Sequence, residues 1–107
     1  MQQYNFTLYV AGNGELTARA LANFERLIRS RLGDRCSLTT VDIVQEPGQA
    51  RTNRVVATPL LVRESPLPLV KVLGDLSHEQ KLLTQLGIET LAAELDGPVN
   101  RAEGDQQ

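Results

Sequence analysis

The spacing of hydrophobic residues changes twice within the first 44 residues, and this constrains the fold more than any other feature. Over residues 4–10 these residues recur at every second position, which predicts a β-strand. Over residues 15–32 they recur at helical spacing, and Gly33-Asp34 predicts the helix end. Residues 36–44 form a second, mostly buried strand pattern. Because a helix of roughly 27 Å can return the chain, we expect two parallel strands in a right-handed βαβ unit.

The middle of the chain predicts a short helix followed by a hairpin. Residues 47–54 begin with proline and predict the helix. Residues 60–62 and 67–73 predict two strands joined by a turn at 63–66. Because Pro68 has no N–H to donate to a neighbouring strand, the second strand of this hairpin is expected either to lie at a sheet edge or to place Pro68 at an unpaired position.

The last third of the chain predicts a single long helix. Ser77 and Gln80 have the spacing of a capping box, which predicts a helix over residues 78–95. The polar residues 97–107 predict a disordered tail after one domain over residues 1–96. The order β-α-β-α-β-β-α fits an α/β fold with a four-stranded mixed sheet, strand order 2-1-3-4 and helices on both faces. This is the thioredoxin-like arrangement.

Composition excludes several classes of function. The net charge of the 107 residues is −2, with +3 through Lys71 and −5 after it, which is far from the basic balance of nucleic-acid binders. No apolar run reaches the ~20 residues needed to span a membrane, and no leader is visible, so a cytoplasmic protein is expected. One cysteine and one histidine cannot supply a disulfide or a structural zinc site.

The turn between the first strand and the first helix is where a thioredoxin-like redox enzyme needs its cysteine. Here residues 12–15 read Gly-Asn-Gly-Glu, and Cys36 is expected at the opposite end of the sheet as an inert apolar residue. Gly12 and Gly14 resemble part of a dinucleotide loop, but Thr17 replaces its third glycine. The sequence therefore argues against disulfide exchange and against nucleotide binding.

Other polar residues do not assemble into a predicted active site. His78 is expected to be solvated, Asp75 to be a turn or capping group, and Asp42 to lie within the second strand. The Thr58-Pro59 bond, just before the third strand, is expected to be cis as in thioredoxin-like folds. We predict no catalytic residues, no metal site and no cofactor, and hence no enzyme.

A set of short segments, with their spacing, resembles the KaiB family over about residues 4–95. The segments are Leu8-Tyr9-Val10-Ala11-Gly12-Asn13, Arg19-Ala20-Leu21, Val41-Asp42-Ile43, Ala57-Thr58-Pro59 and Gly74-Asp75-Leu76-Ser77. The resemblance implies a non-enzymatic clock component that binds the ATPase ring of KaiC. It also implies competition with a clock histidine kinase for that ring, and a part in sequestering KaiA.

The resemblance further implies a metamorphic protein. One state is thioredoxin-like and monomeric, and the other repacks the carboxyl half as β-α-α-β and forms tetramers. Residues 83–93 favour helix by composition, and Gly87 opposes it by only ~1 kcal/mol, so we predict that the thioredoxin-like monomer dominates. The residues expected to determine the fold are Pro59, Gly74, Asp75 and Gly87.

Arginine and glutamine side chains after the second strand and on the first helix predict a partner-binding surface. The family's basic residues near these positions are matched by Arg19 and Arg54, whereas Gln45 stands where the family commonly has a basic residue. We expect this surface to dock on an acidic face of a KaiC-type ATPase. The residues proposed for it are Arg19, Gln45, Gln49, Arg51 and Arg54.

Two alternatives stay open at this point. One is a thioredoxin-fold protein with redox or thiol-ligand activity, which would depend on Cys36. The other is a stress-response adaptor that uses the same surface on another ATPase or kinase. The second strand is also expected at a sheet edge, where a partner could add a strand, as in β-augmentation.

Overall fold

The computed structural model describes residues 2–88, which form a four-stranded sheet packed with helices. The first helix begins as an α-helix over Glu15–Asn23, continues with π-helical turns over Phe24–Arg29 and ends with an α-helical turn over Ser30–Leu32. The elements in chain order are β1 (Tyr4–Val10), α1 (Glu15–Asn23, continuing through Leu32), β2 (Cys36–Asp42), α2 (Pro47–Thr52), β3 (Leu60–Ser65), β4 (Val70–Leu73) and α3 (Glu79–Leu86).

The sheet has the predicted strand order, β2-β1-β3-β4. Strands β1 and β2 are parallel, with Tyr4 opposite Cys36 and Val10 opposite Asp42. Strand β3 is antiparallel to β1, and β4 is antiparallel to β3. This confirms the βαβ unit and the thioredoxin-like class, with β2 and β4 as the two edge strands.

The hairpin differs from its prediction, because the residues expected to turn belong to β3. A bulge at Glu64, the extra β3 residue between the pairs Phe6–Arg63 and Asn5–Ser65, lets pairing continue to Ser65. Arg63 is tolerated inside the fold because its guanidinium donates to the carbonyl oxygens of Leu86 and Pro68. The turn therefore falls after Ser65, and β4 begins only at Val70, so that Pro68 lies outside the strand, while β4 is at the sheet edge as expected.

The final helix also differs from its prediction at both ends. The Ser77 N–H donates to Oδ1 of Asp75 at 3.2 Å, and α3 begins at Glu79 without a side-chain cap, so the predicted capping box is wrong. The helix ends at Leu86 because Gly87 adopts φ +71°, a left-handed conformation that favours glycine. The predicted continuation over 89–95 and the predicted tail at 97–107 lie outside the described residues.

Helices cover the two faces of the sheet unequally. Alternating strand residues point to opposite faces, so Leu8 and Leu61 face α1 and α3, whereas Tyr9 and Val62 face the α2 side. The α1–α3 side holds the main core, which comprises Phe6, Leu8, Val10, Ala20, Phe24, Leu27, Ile28, Leu32, Cys36, Leu61, Leu76, Leu82, Leu83, Leu86 and Ile88. The α2 side holds a second cluster of Tyr9, Val41, Leu60 and Val62. Within residues 2–88, every helix is too short or too polar to cross a membrane.

Candidate functional site

The carboxyl ends of β1 and β2 meet at one end of the sheet, and Asp42 links the loops that leave them. Its Oδ1 accepts the N–H of Gly12 at 3.0 Å and the N–H of Val44 at 2.9 Å. Gly12 has φ +73°, so glycine permits the backbone turn that brings its N–H to this carboxylate. These backbone hydrogen bonds lower the pKa of Asp42. The Asp42 carboxylate therefore fixes the first turn relative to the start of the β2–α2 connection.

Helix α2 is short and is held to the sheet by the residues that follow it. Proline occupies its first turn, where no N–H is needed. The Val55 N–H donates to the Ala50 carbonyl at 2.8 Å, and the Val55 side chain packs against the second cluster. Gln49 is exposed, and its amide donates to the Glu46 carboxylate at 3.1 Å. The helix thus presents its polar face to solvent from a fixed base.

Arg51 and Arg54 are exposed cations on this segment. Neither one forms an ion pair with any residue between 2 and 88. The backbone of Arg54 has φ +57°, a left-handed conformation that costs a non-glycine residue ~1–3 kcal/mol. Its N–H donates to the Arg51 carbonyl at 3.3 Å. Two guanidinium groups are therefore available to an external partner.

Exposed apolar residues precede and follow helix α2 in the chain, and the sequence pattern did not indicate their exposure. Val44 is 69% exposed and Val56 is 95% exposed. A large apolar side chain so exposed beside free arginines is typical of an interface that a partner covers. The sequence signal was weak, because valine at the end of a predicted strand usually indicates burial. We call Val44, Gln45, Gln49, Arg51, Arg54 and Val56 the arginine surface.

Arg19 lies apart from the arginine surface in its contacts. Its guanidinium pairs with Glu15 at 2.7 Å and with Asp75 at 3.2 Å. The hydrogen bonds that Arg19 donates to these two carboxylates raise the pKa of Arg19, and hydrogen bonds donated by Ser77 and Arg19 lower the pKa of Asp75. Among residues 2–88, no hydrogen bond or ion pair joins Arg19 to the other four predicted site residues. Its contacts connect α1 to the β4–α3 connection.

The four residues predicted to determine the fold lie at turns and bends. The Thr58–Pro59 bond is cis, as predicted, and the Pro59 carbonyl accepts the Gly74 N–H at 2.9 Å. Gly74 has φ +113°, which requires glycine, and Gly87 ends α3. Asp75, paired with Arg19, lies directly after Gly74. Whether these four residues determine the fold stays a prediction.

Cys36 lies where the sequence analysis expected, and the site has no thiol at the β1–α1 turn. Cys36 pairs with Tyr4 at the start of β1, so it is at the opposite end of the strands from Gly12. It is 6% exposed, and burial raises the pKa of its thiol, which lowers the thiolate fraction. Within residues 2–88, no group of three or more histidine, cysteine, aspartate or glutamate side chains is arranged to hold a metal ion.

A KaiB domain model matches residues 7–88. The chain is 32% identical over 88 residues to the circadian clock protein KaiB3 of Synechocystis sp., which covers 82% of this chain and 86% of that protein. It is 34% identical over 92 residues to the circadian clock oscillator protein KaiB of Synechococcus elongatus, which covers 86% of this chain and 88% of that protein.

Solved structures with the same arrangement are more distant in sequence. The N-terminal domain of Synechococcus elongatus SasA has a TM-score of 0.66 at 18% identity, covering 83% of this chain and 88% of that one. Mitochondrial thioredoxin 3 from Saccharomyces cerevisiae has a TM-score of 0.61 at 18% identity, covering 82% of this chain and 78% of that one. Such likeness shows the thioredoxin-like fold.

Proposed function

The chain belongs to the KaiB family, and we propose that it is a non-enzymatic clock or regulatory protein that docks on a KaiC-type ATPase ring. It does so in the thioredoxin-like state, as a monomer, through the arginine surface. Three observations support the proposal: the family membership, the free guanidinium groups of Arg51 and Arg54, and the exposed Val44 and Val56 beside them. The last of these carries it furthest, because apolar side chains beside free cations are what a complementary protein surface would bury.

The chemistry of the arginine surface defines the partner face. An acidic patch with apolar residues would pair with the two guanidinium groups and cover the two valines. Arginine contributes strongly at interfaces because its planar group donates several hydrogen bonds in a fixed geometry. Gln45 and Gln49 add neutral donors and acceptors around these cations.

A KaiA-like protein is the proposed second partner, and edge strand β2 offers a separate place for it. Within residues 2–88, strand β2 pairs with β1 on one side only, so its other edge has backbone groups available to an added strand. Of its residues, Ser37, Thr39 and Thr40 are exposed. A partner bound at this edge would leave α2 free for the ATPase ring.

Charge reversal tests the proposed ATPase surface. We expect Arg54→Glu to weaken binding to a purified KaiC-type ATPase ring by about tenfold or more, which corresponds to about 1.4 kcal/mol. Arg26→Glu is the matched control, because Arg26 is exposed on α1, away from this surface, and within residues 2–88 its side chain bonds only to Asn23. Calorimetric titration measures the affinity, and light scattering on the same sample measures the mass.

The outcomes separate the surface from the function. A wild-type chain that fails to bind the ring would refute the proposed function. Equal affinities for the wild type and Arg54→Glu would remove Arg54 from the surface and keep the partner. A predominantly tetrameric sample would contradict the proposed monomer.

The redox alternative depends on the thiol of Cys36, and the adaptor alternative does not. We expect Cys36→Ser to bind the ring as the wild type does and to remain folded, because the thiol is buried far from the arginine surface. Loss of a thiol-dependent activity in this variant, with ring binding absent in both proteins, would favour the redox function. Capture of a different ATPase or kinase that still requires Arg54 would favour the adaptor.

A further inference from the structure

A groove of about 310 Å³ lies between edge strand β4 and helix α3, away from the arginine surface. Its apolar lining includes Val72, which is half-buried, and Leu76 and Leu82, which are buried. Lys71 from β4 and Lys81 from α3 line it as well, and both are exposed. The groove thus combines an apolar lining with two cations from different elements.

These two residues are the only lysines in the sequence, and the other nine of its eleven lysine and arginine residues are arginines. Asp75 also lines the groove and pairs with Arg19 at 3.2 Å, and Glu79 at the start of α3 pairs with Arg31 at 3.1 Å. Neither lysine forms an ion pair with a residue in the described range 2–88. The two lysine ammonium groups of the groove therefore have no carboxylate partner among the described residues.

The sequence that follows the described residues has the opposite charge. Segment 89–107 contains five carboxylates and one arginine, for a net charge of −4. Its first eight residues place Glu89, Glu94 and Asp96 among apolar residues, including Leu91 and Leu95. This mixture complements both the lysines and the apolar lining of the groove.

The described residues end three positions after Gln85, which lines the groove, and segment 89–107 is long enough to follow the groove. Gly87 ends α3, and Ile88 is 5% exposed within the main core, so the chain is anchored one residue before the segment begins. Gln85, close to that point, lines the groove together with His78 at the other end of α3. The eight residues of α3 span about 12 Å. Eight extended residues span up to ~26 Å.

We propose that segment 89–107 docks in the groove between β4 and α3 of the same molecule. Its carboxylates pair with Lys71 and Lys81, and its apolar residues cover Val72 and Leu82. This contact shields the free edge of β4, which would otherwise be open to pairing with another chain. The proposal does not depend on the ATPase docking described above, because the two surfaces share no residue.

Carbodiimide crosslinking of the full chain tests this contact, since it joins a carboxylate to a lysine amine in contact with it. An equal mixture of ¹⁴N- and ¹⁵N-labelled protein distinguishes crosslinks within one chain from those between two chains. At low ionic strength we expect same-chain crosslinks from Lys71 or Lys81 to Glu89, Glu94 or Asp96, which salt diminishes. The control is the double variant Lys71→Arg with Lys81→Arg, which keeps both positive charges and removes both lysine amines.

Hydrogen exchange provides a second measurement without covalent chemistry. We expect the triple variant Glu89→Gln, Glu94→Gln and Asp96→Asn to exchange amides of residues 72–73 several-fold faster than the wild type, and Glu46→Gln to leave them unchanged. Crosslinks confined to Asp75 and Glu79, or unchanged exchange in the triple variant, would overturn the proposal. Crosslinks that join labelled to unlabelled chains would place a second copy in the groove and overturn it as well.

Discussion

The two faces of this sheet are built from the same strands, yet they bury very different amounts of apolar surface. Fifteen buried residues form the main core under α1 and α3, whereas four form the second cluster on the α2 side. The difference follows from helix length. Helix α1 with its π-helical turns runs from residue 15 to 32, while α2 has six residues and none of them is buried.

The comparison indicates a division of roles between the two faces. Burial of apolar area is the main source of stability, so the α1–α3 face supplies most of it. The α2 side has to bury less and therefore leaves Arg51, Arg54, Val44 and Val56 exposed for recognition. Substitutions at neighbouring residues of one strand test this division, because neighbours point to opposite faces.

The largest expected loss in the free energy of unfolding is at Leu61. It is fully buried in the main core, and its neighbour Leu60 is 8% exposed in the second cluster. We expect Leu61→Ala to lower the free energy of unfolding by about 3 to 4 kcal/mol, and Leu60→Ala by about 2 kcal/mol. Urea unfolding of both variants measures the difference. Equal losses would show that the two faces contribute equally, contrary to this division.

A smaller loss in the free energy of unfolding is expected at Arg63, which precedes Glu64 in β3. The Arg63 guanidinium donates to carbonyl oxygens of α3 and of the β3–β4 turn, whereas exposed Glu64 accepts a hydrogen bond from Thr7 at 2.8 Å. We expect Arg63→Met to cost about 1 to 3 kcal/mol, because it leaves buried carbonyl groups without donors.

The control for Arg63 is Glu64→Gln, which keeps an acceptor for Thr7 and is expected to cost about 0.5 kcal/mol or less. Denaturant unfolding measures both variants, and hydrogen exchange in α3 shows where protection is lost. A more stable Arg63→Met protein would mean that the cost of burying the charge exceeds the value of its hydrogen bonds.

The smallest effect on stability is expected at Asp42, which links the loop after β1 to the loop after β2. Its pKa is lowered below its usual value near 3.8 by the N–H groups of Gly12 and Val44. The stabilisation is therefore present above pH 3.8 and is lost as the pH falls through the lowered pKa. We expect Asp42→Asn to be less stable than the wild type at neutral pH, with a gap that closes in acid.

Thermal unfolding between neutral pH and pH 2 measures the gap for Asp42. Asp75, whose pKa is also lowered, remains in the variant and keeps part of the acid dependence. A stability difference that stays constant down to pH 2 would show that the negative charge of the Asp42 carboxylate does not contribute to stability.

The order of the strands and helices could be predicted because hydrophobic spacing and helix-stop residues are local features of the sequence. Strand β1 and the helix end at Gly33 follow from hydrophobic period and helix-stop residues, and the thioredoxin-like order of elements supported the cis Thr58–Pro59 bond. The hairpin was misplaced because the burial of Arg63 depends on distant carbonyl groups in Pro68 and Leu86. No local pattern shows that a charged residue will find such partners.

The candidate site was only partly predictable, for the same reason. Arg19 and Arg54 were identified through the resemblance and Arg51 through its place on the short helix, but the ion pair of Arg19 with Asp75, 56 residues away, was not predicted. Val44 and Val56 were missed, since their exposure depends on where β2 ends and how the loop after α2 runs. Tertiary contacts decide which side chains remain free, and period and composition do not report them.

The confinement of both lysines to one groove has a practical consequence for any assay that attaches this protein through lysine amines. Coupling to a sensor chip, a bead or a fluorescent ester would occur between β4 and α3 and would leave every arginine unmodified. A molecule tethered in this way would keep the arginine surface accessible to a passing partner, while its β4 edge would be occupied by the attachment. Two assays that differ only in labelling chemistry would therefore report on different sides of the same molecule.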